Sequence, residues 1–302
     1  MTTALCLDRE VDFHGWPALR LTRGPLCLHL VPALGGRIMG IAWDGQELAF
    51  QQPERRGTLP TAADRADLSA WRARLGFPLW GGGKTWLAPE SAFPEGAPYP
   101  DLDSGPYDVA VEADDSERVA VTLTSAPCRD TGIRLSRTIS LDNHTPGWRV
   151  DHRAENTGTT PWTGGLWDVL MLLRPATVIW PARDLYVFPD KADPEAGRAA
   201  LEEGMVHCNI AAEFKVGAHL DAGWLAAKLA GGLGYLRRFD LPAGAAYAHG
   251  WPAEVYNAGQ YPYFEVEIHG PEVRLPPGAA TALRLDETVA PWTEIAAAIA
   301  TR

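Results

Sequence analysis

The sequence predicts an all-β fold of antiparallel strands, and three observations carry that expectation. Apolar and polar residues alternate with period two through most of the chain, the pattern of strands with one face on a core. Turn signals separate these runs, among them Gly24-Pro25, Asp44-Gly45 and Asn156-Thr157-Gly158. Thirty glycines and 25 prolines interrupt nearly every apolar stretch, so long helices have little room. The 302 residues, 46% of them hydrophobic, suffice for one large core, and no linker or internal repeat divides them. A single domain over residues 1–302 is expected.

Residues 1–50 read as four or five short strands, with Trp16 to Thr22 and Leu26 to Val31 alternating most clearly. Between Asp64 and Leu75, apolar Leu68, Trp71 and Leu75 recur three or four apart, which predicts a helix packed on the sheet. Residues 79–107 are Gly/Pro-rich and read as a long loop whose aromatic residues argue for order. Gly81-Gly82-Gly83 lets the backbone approach something closely, and Lys84, Trp86 and Glu90 just after it suit a grip on a polyol. Residues 107–156 return to alternation, with Arg137 and His152 on otherwise apolar faces. These two read either as a buried, satisfied pair or as groups reaching a site at a strand end. Trp162 to Leu173 is a strand carrying Trp167 and Asp168 in its middle. Asp is rare in strand interiors and, if buried, needs a partner or a task, so Asp168 is a candidate site residue. The acidic PDKADPEAG segment reads as a solvated loop, and Lys215, Trp224 and Lys228 lie where side chains could face a cleft. A short helix is expected over residues 291–300.

The most informative stretch is Tyr261 to His269. Its even positions, Pro262, Phe264, Val266 and Ile268, form a wholly apolar face, while Tyr261, Tyr263, Glu265, Glu267 and His269 share the other. Two phenols beside two carboxylates and an imidazole suit the floor of a polar cleft. Glu265 and Glu267 stand about 7 Å apart by strand rise. Two partly desolvated like charges at that range push at least one pKa upward, toward the range useful for general acid–base work. His249 and His269 are near in sequence and titrate close to neutrality in their ordinary state.

Other chemistries lack their signatures. No GxSxG, HExxH or GxGxxG is present, and the glycine run lacks phosphate-loop spacing. Asp101 and Asp103 could contribute to a Ca²⁺ site with backbone carbonyls, but two Asp in a loop are usually turn formers; no metal ligand is assigned and no cofactor is expected. A formal net charge of -11, with no Lys/Arg run, argues against nucleic acid and anionic membranes. Scattered Cys6, Cys27, Cys128 and Cys208 read as reduced thiols, and with no signal or membrane-spanning segment recognised, a cytoplasmic location is expected. Twelve tryptophans offer flat platforms that suit sugar rings, a fraction lining a site and the rest filling the core.

These motifs resemble the galactose mutarotase-like, or aldose 1-epimerase-like, superfamily. The resemblance rests on LHLVPALGGRIMGIAWDGQELAF near the N-terminus, Gly82-Gly83-Lys84-Thr85-Trp86, and the closing strand before Leu275-Pro276-Pro277-Gly278. KTWLAPE, FKVG and FEVEIHGP resemble an uncharacterised branch of it. The resemblance implies a large antiparallel β-supersandwich with one or two short helices and a concave face that binds a small carbohydrate. It also implies a catalytic Glu that takes the anomeric proton, here Glu267 or Glu265, and an acid at the ring oxygen. The family's histidines do not map cleanly: Trp167-Asp168 and Lys84 stand where they are expected, which leaves His249, His269 or Asp168 as the acid. The implied activity is aldose 1-epimerase-like; the alternative is a carbohydrate-binding protein that kept the cleft and lost the acid. Lys84, Trp86, Glu90, Trp167, Lys215, Trp224, Tyr263 and His269 are the expected sugar contacts.

Overall fold

The computed structural model describes residues 4–77, 79–190 and 193–300, with the backbone alone for residues 68, 74 and 75. Two antiparallel sheets form a sandwich. The first has 12 strands, and its main path runs through Leu5–Phe13, Trp16–Arg23, Leu26–Val31, Arg37–Trp43, Gly83–Ala88, Trp162–Leu173, Tyr263–His269, Ala253–Asn257, Phe214–Leu220 and Ala182–Val187. The second has 10 strands, in the order Leu201–Glu202, Met205–Cys208, Ala176–Ile179, Trp224–Leu229, Leu233–Phe239, Ala280–Pro291, Trp148–Asn156, Ile133–Asp142, Arg118–Ser125 and Tyr107–Asp114. Chain-distant strands meet at the centre of the first sheet. Gly83–Ala88, Trp162–Leu173 and Tyr263–His269 lie side by side there.

Local chemistry explains the turns. Asp44 and Gly45 both take positive φ, 49° and 79°, the pair that a tight hairpin with matching twist requires. His14 and Gly15 do the same at 53° and 89°, joining Leu5–Phe13 to Trp16–Arg23. That first strand is weakly legible in sequence because it is a half-exposed edge strand whose pairing is broken by a bulge between Asp8 and Val11.

The inner faces of the sheets share one apolar cluster. Phe264, Val266 and Ile268 from the first sheet sit in it with Ile139, Val150 and Leu285 from the second. Buried in the same layer is an ion network, where Arg237 bridges Asp168 and Glu287. Arg137 stands 3.8 Å from Asp168 and donates to the carbonyls of Gly36 and Gly83. His152 Nε2 lies 3.4 Å from the same carboxylate. Arg137 and His152 are therefore buried beside Asp168 between the sheets and do not line the cavity, but they are not fully satisfied, since Arg137 Nε and His152 Nε2 have no hydrogen-bond partner.

The helices are more numerous than the sequence suggests, yet all are short: Ala62–Ala66, Leu68–Leu75, Pro100–Asp103, Pro194–Ala199 and Trp292–Ala300. The expected helix over 64–75 is broken at Asp67, whose side chain caps the second piece. Trp71 is buried as expected, and the side chains of Leu68 and Leu75 lie outside the described residues. The PDKADPEAG segment is not simply a loop, because Asp193 caps the helix Pro194–Ala199, which begins within it; Lys191 and Ala192 lie outside the described residues. No helix among the described residues is long and apolar enough to cross a membrane.

Candidate functional site

The outer face of the first sheet carries a cavity of ≈ 560 Å³. Its floor is the polar face of Tyr263–His269: Tyr263, Glu265 and Glu267 line it, with Trp86, Trp167 and Lys215 from neighbouring strands. Register explains the convergence, since directly paired residues of an antiparallel sheet share a face. Trp86 pairs with Trp167 and Trp167 with His269, making one aromatic row. Glu267 pairs with Glu254, and Glu265 with Tyr256. The rim comes from elsewhere: Gln52, Arg55 and Phe77 from the excursion after the first strands, Glu90 from the turn after Trp86, and Glu213 and Tyr261 from other loops.

The glycine run has a structural task. A Cβ on Gly81 would meet the Phe50 carbonyl oxygen at 2.2 Å, and one on Gly82 the Ile38 oxygen at 2.6 Å. The close approach is to neighbouring backbone, not to a ligand, and it delivers Gly83–Ala88 to the centre of the sheet. The reading of residues 79–107 as loop is corrected there. Lys84 consequently lies beneath the cavity floor. Its Nζ donates to Glu265 Oε1 at 3.1 Å and lies 4.6 Å from the Trp86 ring centroid. Burial holds its pKa below the ordinary lysine value.

Glu267 is fully buried. Its Oε2 accepts from Trp167 Nε1 at 2.8 Å and from Lys215 Nζ at 2.9 Å, whereas Oε1 has no hydrogen-bond partner. Burial pushes its pKa up to about 8; Glu254 and Glu265 add to the rise and Lys215 opposes it. Lys215 also pairs with Glu254 at 2.6 Å. Burial alone would lower the lysine's pKa, but the two carboxylates outweigh it and raise it. Glu254 shows the opposite balance: against its burial, Lys215 and His269 hold it well below the ordinary value.

The expected residues do not all gather. Glu267, Glu265, Lys215, Trp86, Trp167, Tyr263 and Glu90 line the cavity. Asp168 does not: neighbours on a strand face opposite ways, so it points from Trp167's strand into the inter-sheet layer. Burial would raise its pKa, but Arg237, His152 and Arg137 hold it below the usual range. Trp224 is on the second sheet, beside Arg238 and Asp286, and Lys228 is exposed there. His249 and His269 stand behind the floor, 4.5 and 5.4 Å from Trp167 between ring centroids, each directed at Glu254 at 3.3 Å. Burial lowers His269 to about 4. Asp101 and Asp103 are held by Arg129 and Arg37 respectively. The sequence reading passed over Glu254, Tyr256 and Glu213. Alternation in Ala253–Asn257 does place Glu254 and Tyr256 on one face.

Among the described residues one cluster has metal-ligand character, His249, Glu254 and His269, with ligand atoms within 4.8 Å of one another. Its protons argue against a metal. The Glu90 backbone N–H donates to His249 Nε2 at 2.9 Å, so the ring proton resides on Nδ1, the atom that faces Glu254. A metal there would require an imidazolate, and the Lys215 ammonium already occupies the cation's place beside Glu254.

No family model matches the sequence, and no curated protein matches it. Solved structures do resemble it. A candidate aldose 1-epimerase from Klebsiella pneumoniae superposes with a TM-score of 0.70 at 13% identity, over 96% of this chain and 84% of that one. A galactose mutarotase-like protein from Clostridium acetobutylicum gives 0.62 at 10% identity, over 95% and 99%. A candidate mutarotase from Salmonella typhimurium gives 0.62 at 11%, over 95% and 94%. Identity at this level speaks for architecture alone. Two large antiparallel sheets, the strand order and these superpositions together give the chain the galactose mutarotase-like fold.

Proposed function

We propose that the cavity binds a free aldose and exchanges its anomers. The observation that carries this reading is Glu267: a fully buried carboxyl group lining a sugar-sized cavity, with one oxygen held by Trp167 and Lys215 and the other without a partner. Proton transfer needs such a group, and a pKa near neutrality suits it to give and take a proton. Trp86, Trp167 and Phe77 offer apolar faces for the sugar's C–H surface.

The chemistry then runs between the two floor carboxylates. Glu265, oriented by Lys84, takes the proton from the anomeric hydroxyl. The C1–O5 bond opens, O5 takes the proton of Glu267, and C1 becomes a carbonyl. Rotation about C1–C2 and the reverse steps close the ring on its other face. His249 and His269 are not the acid in this scheme, because both are directed at Glu254.

Saturation-transfer NMR of α/β exchange across a panel of aldoses tests the reading. At least one sugar should exchange faster than in buffer, and Glu267→Gln should lose about 10²–10⁴ of that rate. No exchange above buffer for any sugar would reject it. That no imidazole among the described residues lines the cavity favours a second reading, a sugar-binding protein without turnover. Calorimetric heats with no exchange would select that one.

A further inference from the structure

We propose that Glu254 is a positioning residue that, through the ammonium it shares with Glu267, keeps Glu267 in its proton-bearing form. Glu254 and Glu267 are directly paired on adjacent strands and point to the same face, so their side chains are neighbours in a buried space. Two ionised carboxylates there need two cations, and the strand beyond Glu254 supplies one. Lys215 Nζ lies between them, 2.6 Å from Glu254 and 2.9 Å from Glu267.

The donors are shared unequally. His249 carries its proton on Nδ1 and donates it to Glu254 Oε2 at 3.4 Å, because its Nε2 accepts from the Glu90 backbone. His269 Nε2 lies 3.3 Å from Glu254 Oε2, a close contact without hydrogen-bond geometry. Glu254 thus has the Lys215 ammonium at the shorter distance, the His249 N–H and the edge of the His269 ring around it, although its Oε1, like that of Glu267, has no hydrogen-bond partner. Glu267 has two donors, both on Oε2. The negative charge settles on Glu254, and Glu267 retains a proton that Oε1 can carry. Lys84 does not redress the balance, since it is bound to Glu265, whose own carboxylate repels charge on Glu267. The two histidines therefore act on the reaction through Glu254 and never touch the sugar.

The role in proton transfer rests on the proposed activity; the titration does not, and the test separates them. In protein labelled with ¹³C at glutamate carboxyls, a resonance with a midpoint near 8 should vanish in Glu267→Gln, which assigns it. In Glu254→Gln the whole ammonium belongs to Glu267, and the midpoint should fall by about two units. His249→Phe keeps the ring against Trp167 but removes its N–H, and should lower the midpoint by about half a unit while leaving the fold in place. If a sugar substrate is found, the acid limb of the exchange rate should move with the same midpoint. A Glu267 midpoint unchanged in both variants overturns the proposal. Absent exchange with a shifted midpoint overturns only the proposed activity.

Discussion

Asp168→Asn distinguishes a structural carboxylate from a catalytic one. Asp168 is 1% exposed and lies in the inter-sheet layer with Arg237, Arg137 and His152. Burial drives His152 to about 3, so its ring is neutral. The network then holds two guanidinium groups against the carboxyl groups of Asp168 and Glu287. Asn keeps the shape and removes a charge, taking from Arg137 the carboxylate 3.8 Å away. Removing one partner of a buried pair costs about 3–5 kcal/mol. The lower end applies here, because Arg237 retains Glu287 at 2.9 Å and Arg137 retains two backbone carbonyls. An unfolding entropy of about 2.1 cal/mol/K per residue gives about 0.6 kcal/mol/K for this chain, so ~3 kcal/mol lowers Tm by ~5 °C. Calorimetry or circular dichroism at pH 7 measures the shift, and any sugar binding by the folded variant should persist. A Tm within about 1 °C of the parent, with binding or exchange abolished, would refute the placement of Asp168 as structural.

Two further outcomes are expected. Stability should fall as pH drops below about 6.5. His152 and His269 have folded pKa values lowered to about 3 and 4, so the unfolded chain binds more protons there, and the half-buried His29, lowered to about 4, adds less. Glu47 and Glu267, raised to about 7 and 8, bind more protons in the folded chain and oppose them, so the net fall is at most ~1.4 kcal/mol per pH unit, read from urea midpoints between pH 6.5 and 4.5. Glu267→Gln should steepen the fall, and an unchanged slope would contradict this balance. A hexose 6-phosphate should bind at least about 10-fold more weakly than the free hexose, because Lys84 and Lys215 are committed to carboxylates and Glu90, Glu213 and Glu265 outnumber the rim's Arg55 around the cavity. Calorimetry with the two sugars side by side checks this, and equal affinities would contradict it.

Tyr263 to His269 shows how far sequence reasoning reached into the site. Strict alternation fixed which side chains share a face, and the chemistry of that face identified it as the polar one, so Glu265 and Glu267 were legible without coordinates. The same periodicity could not say which face of Trp162–Leu173 belongs to the cavity, because a strand buried on both sides reads as apolar throughout. Trp167 and Asp168 therefore looked equivalent, though one lines the cavity and the other pairs with arginines between the sheets. Trp224 had a suitable residue type and the wrong sheet. The glycine run signalled close backbone approach correctly, and only packing identified the partner as Phe50 and Ile38.

By itself the sequence determined the strand periodicity, the punctuating turns, the all-β class and the polar face of the closing strand, because each depends on residues within a few positions of one another. The tertiary structure alone decided that Lys215 stands between Glu254 and Glu267, and that Asp168 stands apart from them. Those relations join residues up to 100 positions apart, such as Trp167 and Glu267. They are set by sheet order and register, which no local pattern encodes.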